Sequence, residues 1–151
     1  MSLLTFSIKG RSENATKFVA QARQFELIVD EPASLGGNDE AANPVEYVLA
    51  GYAGCLNVVG HLVAKEQGLD LGGLEIDIEG DLDPAKFLGH SRLDRSGFQA
   101  IAVRLIPGNQ LPKAKLDAWL REVSDRCPVS DNLSSETPVE LFVSTAAYAR
   151  A

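Results

Sequence analysis

The sequence predicts an α+β domain of antiparallel strands with one long helix at its centre. Runs rich in β-branched and aromatic residues lie near both ends of the chain, and a long apolar segment of helical character lies between them. The strands follow one another in groups, in the order β-β-β-α-β-β-α-α-β, whereas a parallel α/β fold would alternate strands and helices. The length of 151 residues corresponds to one domain that spans residues 1–151.

Three short strands are predicted before the helix, at residues 3–9, 16–21 and 24–30. The turn-prone stretch 10–14 joins the first two strands into a hairpin. In the third strand apolar and polar residues alternate, so that one face is buried. Pro32 ends this strand, and a loop is predicted over residues 33–42.

The central helix begins with a strong start signal. Asn43 can cap it, Pro44 suits its first position, and Glu46 can bond back to the cap in a capping box. The helix is predicted to run to the stop at Gly68, over about 24 residues and about 36 Å. Apolar or small residues surround it on almost every side, so one sheet cannot cover it. A second sheet from a second subunit is therefore expected.

The second half of the chain is predicted to contain strands at 74–83, 98–106 and 138–148, a helix at 112–125 and a short helical turn at 130–135. The first of these strands alternates apolar residues with a row of acids, which predicts one core face and one solvated face. The linker over residues 85–97 carries the cluster Lys86, His90, Arg92 and Arg95. This cluster is either a solvated loop or a site for anions.

The composition excludes several classes of protein. With 21 acidic and 14 basic residues the net charge is −7, which repels nucleic acid and anionic membranes. Asn57 and His61 interrupt the longest apolar run, so no membrane span is expected. The N-terminal sequence does not resemble a secretory leader, and two cysteines are too few for a secreted disulfide scaffold. A cytoplasmic protein is expected.

The two cysteines are the strongest candidates for chemistry. Cys55 lies on an apolar face of the central helix, where it is either a small core residue or a reactive thiol. Cys127 follows Arg126 and precedes a proline, so it can stand at a helix N-terminus, where a thiolate is favoured. A capping cysteine without reactivity is the alternative for Cys127.

Other titratable residues are less promising partners for Cys55. Glu46 lies on the opposite side of the helix, and the capping box explains it. His61 lies about 120° round the helix from Cys55, too far for a direct pair. The set Cys55, His61, His90 and Cys127 lacks the spacing of metal ligands, so no metal site is expected.

Two separated motifs resemble those of a known family. The motifs are Leu35-Gly36-Gly37 with the run from Asn43 to Cys55, and Cys127-Pro128-Val129-Ser130 with the later Leu133-Ser134 and Pro138-Val139. They are similar to the OsmC/Ohr family, the osmotically induced and organic hydroperoxide resistance proteins. The chain resembles the OsmC-like branch more than Ohr itself, because Ohr proteins carry a glutamate at the position of Val45.

This resemblance implies an intertwined homodimer in which two long helices are buried between sheets from both chains. It also implies thiol-dependent reduction of small organic hydroperoxides, in which Cys55 attacks the peroxide and Cys127 resolves the sulfenic acid as a disulfide. A dithiol reductant, lipoyl groups in the family, then restores the thiols. No metal or organic cofactor is required.

The resemblance further implies a basic residue of the N-terminal strands beside the reactive thiolate, and the candidates are Arg11, Lys17 and Arg23. Glu46 and Tyr52 are candidate supporting residues. The helix-end argument favours Cys127 as the low-pKa thiol, whereas the resemblance assigns the attack to Cys55. We predict Cys55, because a charge partner outweighs a helix end. The alternative function is a catalytically silent OsmC-like protein that binds a small apolar ligand in the same cleft.

Overall fold

The computed structural model describes residues 2–144, and its antiparallel sheets and helices confirm the predicted α+β class. The elements are β1 (Lys9–Ser12), β2 (Phe18–Ala22), β3 (Phe25–Val29), a short 3-10 helix (Ala33–Leu35), α1 (Pro44–Glu66), β4 (Leu74–Asp81), β5 (Ala100–Pro107), α2 (Lys113–Arg126) and α3 (Pro128–Ser134). The strands form a three-stranded sheet in the order β1-β2-β3 and a two-stranded sheet of β4 and β5.

The N-terminal hairpin turns later than predicted. The turn lies between β1 and β2, where the Asn14 side-chain oxygen accepts hydrogen bonds from the backbone N–H groups of Thr16 and Lys17 at 2.9 and 2.6 Å. Gly10 lies within β1. The Phe18 ring packs directly on it, because a Cβ at this position would lie 2.5 Å from Cζ of Phe18. The predicted strand 3–9 and turn 10–14 are therefore wrong, because the side chain of asparagine fixes the turn and glycine admits a ring.

The loop that follows β3 is organised by a buried carboxylate. Asp30 has no exposed surface and accepts hydrogen bonds from the backbone N–H groups of Glu31, Asn38 and Glu40 at 2.9, 3.0 and 3.2 Å. Burial opposes ionisation, but these bonds outweigh it and hold the pKa of Asp30 below its ordinary value. The predicted loop is present, and its anchor was not evident from the sequence.

The central helix α1 begins with the predicted capping box. The N–H of Glu46 donates to the Asn43 side chain at 2.9 Å, and the Glu46 carboxylate accepts from the N–H of Asn43 at 2.8 Å. The face that packs against β4, α2 and α3 carries Leu56, Val59, Gly60, Val63 and Ala64. By length and composition alone α1 could also cross a bilayer, a test that the core helix of a globular protein passes as well.

The opposite face of α1 is left open by the rest of residues 2–144. Val48, Val58 and Leu62 are exposed by 41, 65 and 46% of their surface, although all three are apolar. In the part of the chain that the structure describes, no atom lies within 4 Å of the position where a Cβ on Gly51 or Gly54 would lie. The sequence predicted that a second layer would be needed to cover this helix. The exposed apolar face is consistent with that prediction.

The β4–β5 sheet follows the predicted alternation. Ile76 pairs with Leu105 and Ile78 with Val103. Of these residues Ile76, Ile78 and Leu105 pack against the buried core. The acids of β4 point to solvent. The second strand begins at Ala100 and not at residue 98 as predicted.

Phe98 lies outside the strand, and its ring covers Gly80 on β4, where a Cβ would lie 2.6 Å from Cε1 of the ring.

The predicted strand at 138–148 is absent from residues 138–144, and positions 145–148 lie outside the described residues. The apolar residues Val139, Leu141, Phe142 and Val143 are between 82 and 97% exposed. A strand requires a neighbour to pair with, and none of the described strands lies beside this segment.

Trp119 of α2 anchors the core, and we expect its removal to destabilise the fold. Its ring is 2% exposed and its Nε1–H donates to the carbonyl of Gly60 at 2.9 Å. Trp119→Ala should cost about 3–5 kcal/mol, and Trp119→Phe about 1 kcal/mol for the lost hydrogen bond and the smaller ring. Urea unfolding at a fixed protein concentration measures both values.

The control is Arg121→Ala, an exposed position on the same helix, with an expected change below about 0.5 kcal/mol. A Trp119→Ala variant that unfolds at the same urea concentration as this control would contradict the role of Trp119 in the core.

Candidate active site

The two cysteines, 72 positions apart, meet where three helices converge. Cys55 lies in the middle of α1, and Cys127 is the residue at which α2 ends and α3 begins. Their Sγ atoms lie 3.2 Å apart, in hydrogen-bond contact, and both thiols are free. Since a disulfide has an S–S distance of about 2.05 Å, a small approach of the two sulfurs would bond them.

Cys127 is held in place at the start of α3. Its Sγ accepts a hydrogen bond from the N–H of Ser130 at 3.4 Å, and Pro128 occupies the first helical position. The side chain is completely buried. Cys127 is therefore a capping residue, as the sequence predicted, in direct contact with the other thiol.

Cys55 lies at the border of the buried face of α1 and keeps part of its surface exposed. Burial raises the pKa of the Cys55 thiol, a hydrogen bond with the backbone of Val129 opposes this, and the nearby Cys127 side chain raises the pKa further. Within one chain the surroundings of Cys55 thus favour the neutral thiol. A thiolate at this position needs a cation from elsewhere.

A pair of hydroxyl groups links α1 to α3 beside the thiols. The hydroxyl of Tyr52, one helical turn before Cys55, donates to Oγ of Ser130 at 3.2 Å. Because the Ser130 N–H also bonds Cys127, this one residue connects both cysteine-bearing helices. The sequence had singled out Tyr52 but missed Ser130, whose position three residues after a helix cap was the available signal.

A second tie holds the end of α2 just before Cys127. The Arg126 guanidinium bonds both carboxylate oxygens of Glu66 at 2.5 and 3.2 Å, and it also reaches Glu122 at 3.4 Å. The ion pair keeps the pKa of Glu66 below its ordinary value. Arg126 therefore joins the ends of α1 and α2 and does not face the thiols with a free charge.

Two of the predicted cationic partners are engaged within the N-terminal part of the chain. Lys17 binds Glu40 at 2.5 Å and Glu13 at 3.3 Å, and these bonds raise the pKa of Lys17. Arg11 lies 3.6 Å from Glu13. Among the described residues neither forms an ion pair or hydrogen bond with Cys55 of the same chain.

The third candidate cation, Arg23, and the candidate supporting residue Glu46 are also occupied locally, as is His61, which the sequence placed too far round the helix to pair with Cys55. The Arg23 guanidinium lies 5.1 Å from the ring centre of Phe25, and Glu46 is engaged in the capping box of α1. His61 is exposed, with Nδ1 2.9 Å from the carbonyl of Asn57 on its own helix. Of the side chains that the sequence proposed around Cys55, a single chain therefore brings Cys127 and Tyr52 to the site.

Two hollows adjoin Tyr52. The first is an apolar cavity of about 200 Å³ between α1, α2 and β5, lined among others by Leu56, Val103, Trp119 and Val123. The second is a cleft of about 440 Å³ between Tyr52, α3 and the segment that leads into β5. Tyr52 lines both hollows, and it lies one helical turn before Cys55 on α1.

The comparisons with known proteins identify the family and the fold of the chain. The family model of OsmC-like proteins matches residues 36–142, and no curated protein matches the sequence. An OsmC-like protein from Mycoplasma pneumoniae has the same fold, with a TM-score of 0.74 and 18% identity over 87% of this chain and 88% of that chain.

Two further solved structures are named for hydroperoxide resistance. An organic hydroperoxide resistance protein OsmC from Legionella pneumophila is 25% identical, with a TM-score of 0.63 over 88% of this chain and 91% of its own. The organic hydroperoxide resistance protein OhrB of Bacillus subtilis is 23% identical, with a TM-score of 0.56 over 87% and 91% of the two chains.

The contact between the two sulfurs predicts that mild oxidation forms a disulfide within one chain. We expect the mass to fall by two hydrogens and peptide mapping to join Cys55 to Cys127, at a rate independent of protein concentration. The Cys127→Ser variant should form no such bond. Disulfides that join two different chains, or two thiols that stay free under the same oxidant, would contradict the prediction.

Proposed function

This chain belongs to the OsmC-like family, and from that premise we propose that it reduces organic hydroperoxides with its two cysteine thiols. The observation that carries the proposal is the 3.2 Å contact between a partly exposed thiol and a buried one. Two thiols in contact, one open to a substrate and one enclosed, are suited to the two successive steps of such a reaction.

The proposed cycle balances as follows. The Cys55 thiolate attacks one oxygen of the peroxide, the O–O bond breaks, an alcohol leaves after taking up a proton, and Cys55 becomes a sulfenic acid. The Cys127 sulfur then attacks that of Cys55, a disulfide forms and water leaves. A dithiol reductant of the lipoyl type supplies two electrons and two protons and becomes a disulfide itself. A cycle that starts from reduced thiols fits the cytoplasm.

Accessibility supports Cys55 as the attacking thiol. Cys127 has no exposed surface, and its sulfur is already bonded to the Ser130 N–H, whereas part of Cys55 faces outward. Exposed apolar side chains, Val48 and Leu62, lie on the same side of α1 as Cys55 and suit a hydroperoxide with an organic body. Hydrogen peroxide, which has no apolar part, would gain nothing from them.

We propose that a second copy of the chain completes the site. A compact protein of 16.2 kDa exposes roughly 7,500 Å², whereas this chain exposes 11805 Å². Many of the exposed apolar residues lie in the N-terminal segment, on α1 and in the segment 139–143, and they include Leu3, Phe6, Val58, Leu141 and Phe142. An intertwined homodimer would bury this surface, of a size typical of obligate dimers.

The dimer also offers the missing charge. Arg11, Lys17 and Arg23 lie on the N-terminal sheet or its turn, which makes no extensive contact with α2, α3 or the β4–β5 sheet of its own chain. If the N-terminal sheet of one chain covers α1 of the other, one of these cations can approach Cys55 across the interface. Such a partner would offset the effect of burial on the thiol and favour the thiolate.

One observation favours a second candidate function. The apolar cavity between α1, α2 and β5 is lined largely by hydrocarbon and could hold a small apolar ligand. In that case the two cysteines would be packing residues and the protein would be catalytically silent. Consumption of an organic hydroperoxide with a dithiol reductant distinguishes the two candidates.

Substitution of each cysteine tests the proposed roles. Cys55→Ser should abolish both peroxide consumption and the trapping of a sulfenic acid. Cys127→Ser should complete one turnover and accumulate a trappable sulfenic acid, because the attacking thiol remains and the resolving thiol is gone. The opposite pattern would reverse the roles of the two residues, and unchanged activity in both variants would remove the thiol mechanism.

Sedimentation equilibrium at micromolar concentration tests the dimer, and we expect about twice 16.2 kDa. Val58→Glu introduces a charge into the open face of α1 and should weaken association, because an unpaired charge is costly to bury. Arg121→Glu on the exposed side of α2 is the matched control and should leave the mass unchanged. A well-folded wild-type monomer would contradict the architecture.

A further inference from the structure

We infer that the cleft between Tyr52, α3 and the segment Arg95–Ile101 binds the carboxylate of an anionic organic hydroperoxide through Arg95. The cleft measures about 440 Å³, within the range of small-molecule sites. Since it adjoins the hydroxyl pair beside the thiols, this inference rests on the proposed function and specifies the substrate class for the same site.

The charge of the cleft differs from that of the rest of the surface. Arg95 is the one charged side chain among the residues described as lining it, and none of those residues is a carboxylate. By contrast, the apolar cavity is lined by the acid Asp117, and the groove on the β4–β5 sheet is lined by two acids, Asp77 and Glu79, together with one cation, Arg104. In a chain of net charge −7, an anion is favoured where a cation stands without competing acids.

The segment that carries Arg95 is fixed by its own side-chain contacts. The Gln99 amide donates to the carbonyls of Arg95 and Gly97 at 3.2 and 3.3 Å, which closes a turn. Phe98, the next residue of the wall, is seated over Gly80 of β4. Arg95 is thus carried by a turn whose backbone is attached to the sheet, on the same cleft as α3.

The opposite end of the cleft supplies a second donor next to the thiols. Oγ of Ser130 accepts the hydrogen bond from Tyr52, so its own O–H remains able to donate. Phe98, Ile101 and Leu133 line the same cleft with apolar side chains. The arrangement fits an elongated molecule with a carboxylate at one end, an apolar body, and a hydroperoxide at the end near the cysteines.

A matched pair of substrates tests the inference on the full-length protein. The pair is cumene hydroperoxide with a para-carboxylate and the methyl ester of the same compound, which differ in charge. Arg95→Ala should lower the ratio of kcat/KM for acid over ester about tenfold, since a charge-assisted hydrogen bond is lost. Arg95→Lys should retain part of the ratio, and high salt should reduce it in the wild type, because Arg95 is exposed.

Arg92→Ala, in the same linker but outside the cleft lining, is the control and should leave the ratio unchanged. A ratio that Arg95→Ala does not alter, or an equal loss for both substrates, would overturn the inference. Calorimetric titration with para-isopropylbenzoate and its methyl ester decides the binding question independently of turnover. If the wild type consumes neither peroxide, the proposed function fails, while weaker binding of the benzoate by Arg95→Ala still supports the carboxylate site.

Discussion

The contact between Trp119 and Gly60 is the constraint on which the rest of this structure depends. Gly60 has no side chain, and a Cβ there would lie 3.2 Å from both the Trp119 ring and Leu74. The indole can therefore lie directly on the backbone of α1 and donate to its carbonyl. This contact sets the distance between α1 and α2, and with it the position at which α2 ends in Cys127. The contact between the sulfurs is a consequence of that packing.

The site has the properties of an incomplete one. Its two thiols are brought together with polar ties on either side, Tyr52 to Ser130 and Arg126 to Glu66. Burial and the neighbouring Cys127 nevertheless raise the pKa of Cys55. The fold supplies proximity, which suits the formation of a disulfide, but among the described residues no ion pair or hydrogen bond brings a cation to Cys55. A reactive cysteine pair requires a short distance between the two sulfurs and a charge that stabilises the thiolate. The first requirement is met within the described chain, and the second is not.

Several elements could be predicted because their signals are local. The capping box of Asn43 and Glu46 involves residues three positions apart, and the alternation along β4 is visible within eight residues. The N-terminal hairpin was misplaced because the choice between Gly10 and Asn14 as the turn depends on the ring of Phe18 across the sheet. The buried Asp30 was missed, since its partners come from a loop whose path the sequence does not specify.

By itself, the sequence determined the fold class, the central helix with its cap, the position of Cys127 at a helix start and the likeness to one family, because periodicity, caps and motifs are properties of neighbouring residues. Only the tertiary structure decided that Cys55 and Cys127 touch, that Ser130 and Tyr52 join their helices, and that the candidate cations pair within the N-terminal region. These facts depend on packing between segments up to 78 positions apart, which is set by the shapes of side chains at helix contacts and by what each buried polar group can bond.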